Sequence, residues 1–367
     1  MNFLKNIFTK KEDPIQSYDD FWNWFKKHER SFYQFVKHKG DVETFFFAKI
    51  APRLAELKDG FFFLTGMLDS DTVELILTAD GAIKNFVFVE ELVAAAPEIK
   101  GWKFTALKPP TDIKNVSIQM AGYSFAADNI SFYANEHASM PDEIDITVVH
   151  DALTEDNKRT IINGTYIFLD NFIGELNFAT TIDMIKIVGK KDVKADLVPI
   201  EKLKDFLIWR EKEFVEKYEG VRRNTDADGY AMLEAELENG LGLVAVINTE
   251  LLQWDAKASH PWIVNLEIKY NGEANRGMPD DATFKLLNEI EDEIIAELKD
   301  YDGYLNIGRQ TAEGSREIYL ACNDFRKPSK VLQAKKLKYA GELEMDYNIY
   351  KDKYWQSFNR FMNTGAL

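Results

Sequence analysis

Cysteine is nearly absent from this chain: Cys322 is the only one in 367 residues. A lone thiol excludes an intramolecular disulfide, and its place in an alternating apolar stretch predicts a small buried hydrophobe in a reducing, cytoplasmic setting. Histidine is scarce too. The five residues His28, His38, His137, His150 and His260 have no metal-ligand spacing, so no metal site and no cofactor is expected. Positive charge is in short supply: 45 Lys and Arg against 61 Asp and Glu leave a net charge of −16. That balance argues against a nucleic-acid backbone or an anionic membrane as partner and leaves a basic one open. Long apolar runs are missing as well. The longest uncharged stretch, Asn115 to Ala127, falls short of the ~18 apolar residues that a membrane span requires.

At the start of the chain, Phe3, Leu4, Ile7 and Phe8 recur at helical spacing beside Lys5, Lys10 and Lys11, without an apolar core long enough for a signal peptide. The segment reads as a short docked helix or a tail, and a membrane-surface anchor is its lesser alternative.

Core material, by contrast, is ample: 46% hydrophobic and 13% aromatic residues, enough for two or three domains. Two amphipathic helices are predicted over Asp19 to Lys39 and Val42 to Lys58. Strands Phe61 to Leu68 and Thr72 to Thr78, a helix from Ile83 to Ala96 and a strand Trp102 to Leu107 come next, in β-β-α-β order. After the Pro109-Pro110 break come strands near residues 116–121, 130–133 and 144–149, a helix from Glu155 to Ile173 and a strand from Ile182 to Val188. The expected domains are 1–189, a helical connector 190–225, and 226–367. In the last of these, strands near 230–237, 243–248 and 262–270 lead into a helix opened by Pro279 and Asp280. The fold class read from this order is α+β, antiparallel sheets with helices on one face, in ferredoxin-like β-β-α-β units.

Three motifs come close to known chemistry and fail. Asn224, Asp226, Asp228 and Gly229 fit the start of a calcium loop, but its twelfth position is Ala235, not a bidentate carboxylate. Gly240, Gly242 and Ala245 match a dinucleotide fingerprint, yet Leu243 to Ile247 is strand-like, where phosphate binding needs a helix. Gly122 to Ala126 mimics a nucleophile elbow without the flanking strand and helix.

The stretch Tyr301 to Phe325 is the most informative. Alternation over Tyr304 to Gly308 and Arg316 to Cys322 predicts a hairpin turning at Thr311 to Ser315, with Gly314 at positive φ. Arg316 and Glu317 then point to opposite faces of the sheet. Arg309 and Arg316, near the ends of the turn with Thr311 beside them, are either held in local ion pairs or left as a bidentate site for an anion. If structural and exposed, such a pair is worth at most ~1 kcal/mol. The helix between Asp280 and Asp300 carries eight acidic residues against two lysines, a solvated face or a surface for a basic partner. Finally, Tyr347, Tyr350, Tyr354, Phe358 and Phe361 would form one aromatic stripe if that segment were helical.

Trp262 at a strand start, Gly277-Met278-Pro279, Ile290-Glu291-Asp292, Gly308-Arg309-Gln310-Thr311, Gly314, Arg316-Glu317 and Tyr319 together resemble the domain-of-unknown-function family 695, from about Asp226 onward. The resemblance supplies no catalytic residues. In other bacterial chains this domain stands beside one similar to a protein regulator of ribonuclease E, which implies regulation by protein contact. The expected function is therefore non-catalytic protein binding, with Arg309, Thr311, Arg316, Glu317 and Trp262 as candidate binding residues. A small anionic ligand or an enzyme site between domains is the alternative.

Overall fold

The computed structural model describes residues 13–362, so the amphipathic segment at Phe3 to Phe8 lies outside the described residues. The chain divides into two compact units between Lys108 and Pro109. The Pro109-Pro110 break, which the sequence pattern suggests is a pause within one domain, is where this division falls.

In the first unit, α1 (Tyr18–Lys37) begins where the Ser17 side chain accepts the Asp20 N–H, a cap for an otherwise unpaired donor. A π-helical turn, Glu43–Phe47, runs into α2 (Ala48–Leu57). The sheet contains β1 (Phe62–Met67), β2 (Val73–Thr78) and, after α3 (Ile83–Ala94), β3 (Trp102–Ala106). Phe21, Phe25, Phe32 and Phe46 are fully buried, with Phe25 edge-on to Trp102 at 5.0 Å and Phe32 stacked on Phe46 at 4.4 Å. The helical spacing of those aromatics thus supplies the core of this unit.

The second unit opens with the hairpin β4 (Ile118–Met120) and β5 (Tyr123–Phe125), then β6 (Ile130–Asn135), β7 (Asp145–His150), α4 (Lys158–Ile173), α5 (Glu175–Thr181), β8 (Met184–Val188), β9 (Val198–Pro199) and α6 (Leu203–Tyr218). The sheet order is β8-β7-β6-β9. Ile200, Leu203 and Leu207 pack with Phe125, Ile146, Phe168 and Phe172, so the first turns of the expected connector belong to this core. The antiparallel expectation needs correction at two places, because β2 pairs with β3 and β7 with β8 in parallel. Both pairs are joined through helices, and a crossover of that length returns the chain in its original direction.

The six-stranded sheet of the same unit is antiparallel throughout. It contains β10 (Tyr230–Glu236), β11 (Gly242–Asn248) and β12 (Trp262–Lys269), then after α7 (Asp281–Glu297) β13 (Tyr304–Ala312) and β14 (Ser315–Cys322), and after α8 (Arg326–Lys338) β15 (Glu344–Lys351). Its order is β10-β11-β13-β14-β12-β15. The α7 stripe Leu287, Ile290, Ile294 and Leu298 is buried, while Phe284 is 45% exposed. The aromatic stripe is overturned: Tyr347 and Tyr350 sit on β15, where odd spacing sends them to opposite faces, and only Gln356–Phe361 is a 3₁₀ helix. Tyr347 donates to the Ser329 carbonyl on the α8 side, whereas Trp355, Phe358 and Phe361 close the other face over Ile263, Leu305 and Ala321.

Residues 109–218 and 226–362 are joined through two aspartates. Asp183 receives Lys351 and Lys353, each at 2.8 Å, and Asp142 accepts the hydroxyls of Tyr218 and Tyr354 at 2.8 and 2.7 Å.

Candidate functional site

The hairpin of β13 and β14 turns on only two residues. Glu313 and Gly314, both at positive φ, close the turn between the paired Ala312 and Ser315, so the strands run further than alternation alone predicted. The turn is tied to the loop before α7, because the Gly314 N–H donates to the Gly277 carbonyl at 2.8 Å. Two of the glycine signatures singled out in the sequence therefore meet. A recess of about 510 Å³ beside them is lined by Leu241, Tyr270, Arg276, Gly277, Glu313 and Gly314, and by neither Arg309 nor Arg316.

Arg316 and Glu317 do lie on opposite faces. Arg316 is buried, 1% exposed, beneath α7: Nη1 donates to Asn288 Oδ1 at 2.8 Å, Nε donates to Thr311 Oγ1 at 3.2 Å, and the guanidinium lies over the Phe284 ring. Glu291 lies between the two arginines, 3.0 Å from Arg309 and 3.9 Å from Arg316. Burial pulls the Arg316 pKa down, and the Glu291 charge opposes that pull. The fork that the sequence offered to an anion is thus filled by a carboxylate of the protein itself. Trp262 is also buried, edge-on to Phe325 at 4.9 Å. Much of the acidic face of α7 is answered by α8, with Glu293 taking Lys335 and Lys338, and Glu297 taking Lys335.

On the opposite face the picture reverses. Strand register sets Gln310, Glu317, Glu267 and Asp346 in one row across β13, β14, β12 and β15. Residues directly opposite in an antiparallel pair share a face at about 5 Å, so three carboxylates stand side by side, a destabilising arrangement. Asp346 reaches Lys336. Glu317 is held by Asn265 Nδ2 at 3.0 Å, Gln310 Nε2 at 3.3 Å and the Tyr319 hydroxyl at 2.8 Å, and among the described residues no cation stands within ion-pair distance. Glu267 accepts the Ser315 hydroxyl at 3.2 Å. Burial first, and then the Glu317 charge, push the Tyr319 phenol far up, keeping it a neutral donor. Arg360 donates to that hydroxyl at 2.9 Å and marks where the C-terminal 3₁₀ helix stops covering this face.

Of the residues expected at the site, Arg309, Thr311 and Arg316 are brought together with Glu291 and Asn288 on the helix side, Trp262 goes to the core, and Glu317 remains on the open face. Sequence reading missed Glu267, Asn265 and Asp346 as its neighbours. Alternation along β12 places Glu267 on a polar face, but which strand lies beside it is a matter of sheet order, which no local pattern encodes. Among the described residues no group of three His, Cys, Asp or Glu side chains is placed to hold a metal ion, and no helix is long and apolar enough to cross a membrane.

Residues 237–363 match the family of unknown function DUF695. The match starts in the turn after β10 and takes in β11 to β15, the buried arginine network and the carboxylate row. No curated protein matches the chain.

Proposed function

We propose that this chain is a non-catalytic, cytoplasmic binding protein whose open sheet face receives a basic segment of another protein. The observation that carries the reading is the row Glu317, Glu267 and Asp346, in which Glu317 is fixed by three hydrogen bonds and, among the described residues, makes no ion pair. Carboxylates set directly opposite one another cost stability, and a cost retained at one face is characteristic of a site that a ligand relieves. The net charge of −16 adds long-range attraction for a basic partner. An anionic ligand at Arg309 and Arg316 is less favoured, since it would have to displace Glu291 from between them.

The test is the Glu267→Gln, Glu317→Gln double variant, assayed by titration with a lysine-rich peptide and by thermal melting. The expected result is saturable, salt-sensitive binding to the natural chain, lost in the variant, with a melting temperature that is unchanged or higher. Equal peptide binding by both proteins, or a variant that melts lower, would reject the proposal.

A further inference from the structure

Outside the sheet face, the hairpin of β6 and β7 builds a second constellation. Register places Asn135 opposite Asp145, and the loop between them folds His137 back onto the same carboxylate, with Nε2 2.7 Å from Asp145 Oδ2. Asn135 Nδ2 donates to the other Asp145 oxygen at 2.9 Å and to Thr147 Oγ1 at 3.0 Å. A carboxylate only accepts, so it is Nε2 that donates to Asp145.

The pair lines a cavity of about 430 Å³ whose other wall is α6, through Phe206, Trp209 and Arg210. The Phe206 and Trp209 rings stand 6.1 Å apart, and Trp209 is 53% exposed at the rim, uncommon for the largest apolar side chain. Glu143 also lines the cavity. Its Oε2 is buried without a hydrogen-bond partner, and burial, with Asp183 nearby, pushes its carboxyl pKa up. The cation on this wall is already engaged: Arg210 donates to the carbonyls of Pro141 at 2.7 Å and Glu143 at 3.3 Å, pairs with Glu213 at 3.5 Å and lies over the Trp209 ring at 5.9 Å, the same cation–ring contact that a flat organic cation would make there. The cavity therefore offers an occupant a carboxylate and indole and phenyl faces, the combination that recognises organic cations.

We infer that this cavity binds a small organic cation of the aromatic amidinium or ammonium class, its charge at the His137–Asp145 pair and its flat part against Trp209. The site shares no residue with the sheet face, so either reading can fail alone.

Calorimetric titration of the full chain with benzamidine, and with its neutral isostere benzamide, tests the inference. Benzamidine is expected to bind at one site and benzamide not to bind. Loss of the ring face in Trp209→Ala should weaken binding about tenfold. Asp145→Asn should abolish binding with the circular dichroism unchanged, and Glu317→Gln should leave it intact. Absence of benzamidine binding, equal binding of benzamide, or undiminished affinity in Trp209→Ala would overturn the assignment. Because Trp209 is largely exposed, that last variant decides the matter even where Asp145→Asn unfolds.

Discussion

Arg316 shows how burial changes the arithmetic of one residue. Read as an exposed ion pair it is worth little, but at 1% exposure its removal leaves Glu291 facing Arg309 alone and strips the hydrogen bonds from Asn288 and Thr311. Breaking a buried pair costs ~3–5 kcal/mol, so Arg316→Ala should lower the unfolding free energy by about 3 kcal/mol in urea titrations. A loss below about 1 kcal/mol would show that the network contributes no more than a surface pair does. His260 provides a second residue-scale prediction. It is buried, 1% exposed, with Nδ1 against Ser259 Oγ at 2.7 Å, and desolvation, with Arg222 adding, holds its pKa down at about 4. A histidine whose folded pKa lies below the unfolded value takes its proton only in the unfolded chain, so stability falls as pH drops from 6.5 toward 4. One such group costs roughly 3 kcal/mol across that window. Burial lowers His150 in the same sense. Glu293, held at about 2 chiefly by Lys338, acts only at more acid pH, where its protonation removes a further contribution. Melting temperatures from pH 7 to pH 5 should therefore slope less in His260→Gln than in the natural chain. Parallel slopes would assign the effect elsewhere.

At the scale of elements, the β13 and β14 hairpin was legible because its cues are local: alternation on both strands and a glycine at the turn. Its exact length and its bulge were not. The register slips between Asn306 and Gly308, and Gly308 takes φ 138° against β11, where an added Cβ would meet the Val246 carbonyl oxygen at 2.1 Å. A backbone atom cannot swing aside as a side chain can. Gly308→Ala should cost at least ~2 kcal/mol, while Gly66→Ala on β1, with nothing near its added methyl, should stay within about 0.5 kcal/mol. Comparable melting points for the two variants would remove the steric argument. The C-terminal aromatics show the opposite outcome. Their intervals of three and four residues suit a helix, but Glu344–Lys351 is drawn into the sheet as an edge strand beside β12, a preference set by tertiary pairing.

For the whole molecule, the junction at Asp183 matters most. Two lysines meet on one carboxylate, and Lys351 also donates to the carbonyls of Thr180 and Thr181 at 2.6 and 3.1 Å. Burial lowers the Lys351 pKa, with Asp183 acting against it. Removal of the shared carboxylate leaves two lysines without their counter-charge, one of them fully buried, so Asp183→Ala should cost ~3 kcal/mol or more. It should also separate the unfolding of residues 109–218 from that of 226–362, adding a transition to those of the natural chain. No added transition and an unchanged midpoint would show that the two parts cohere by other means.

The sequence by itself determined which segments become helix and which become strand over most of the chain, Glu344–Lys351 excepted, since those follow from periodicity, caps and turn residues within a few positions of each other. It also determined that Arg316 and Glu317 part company across a sheet, and it carried the resemblance that residues 237–363 bear out. Only the tertiary structure decided what each side chain meets. The strand order brings Glu267 and Asp346 beside Glu317, and the path of α7 puts Glu291 between two arginines. The loop after β6 carries His137 back to Asp145. These partners are 8 to 79 positions apart, fixed by burial and register across the whole sheet, and no local pattern of residues specifies them.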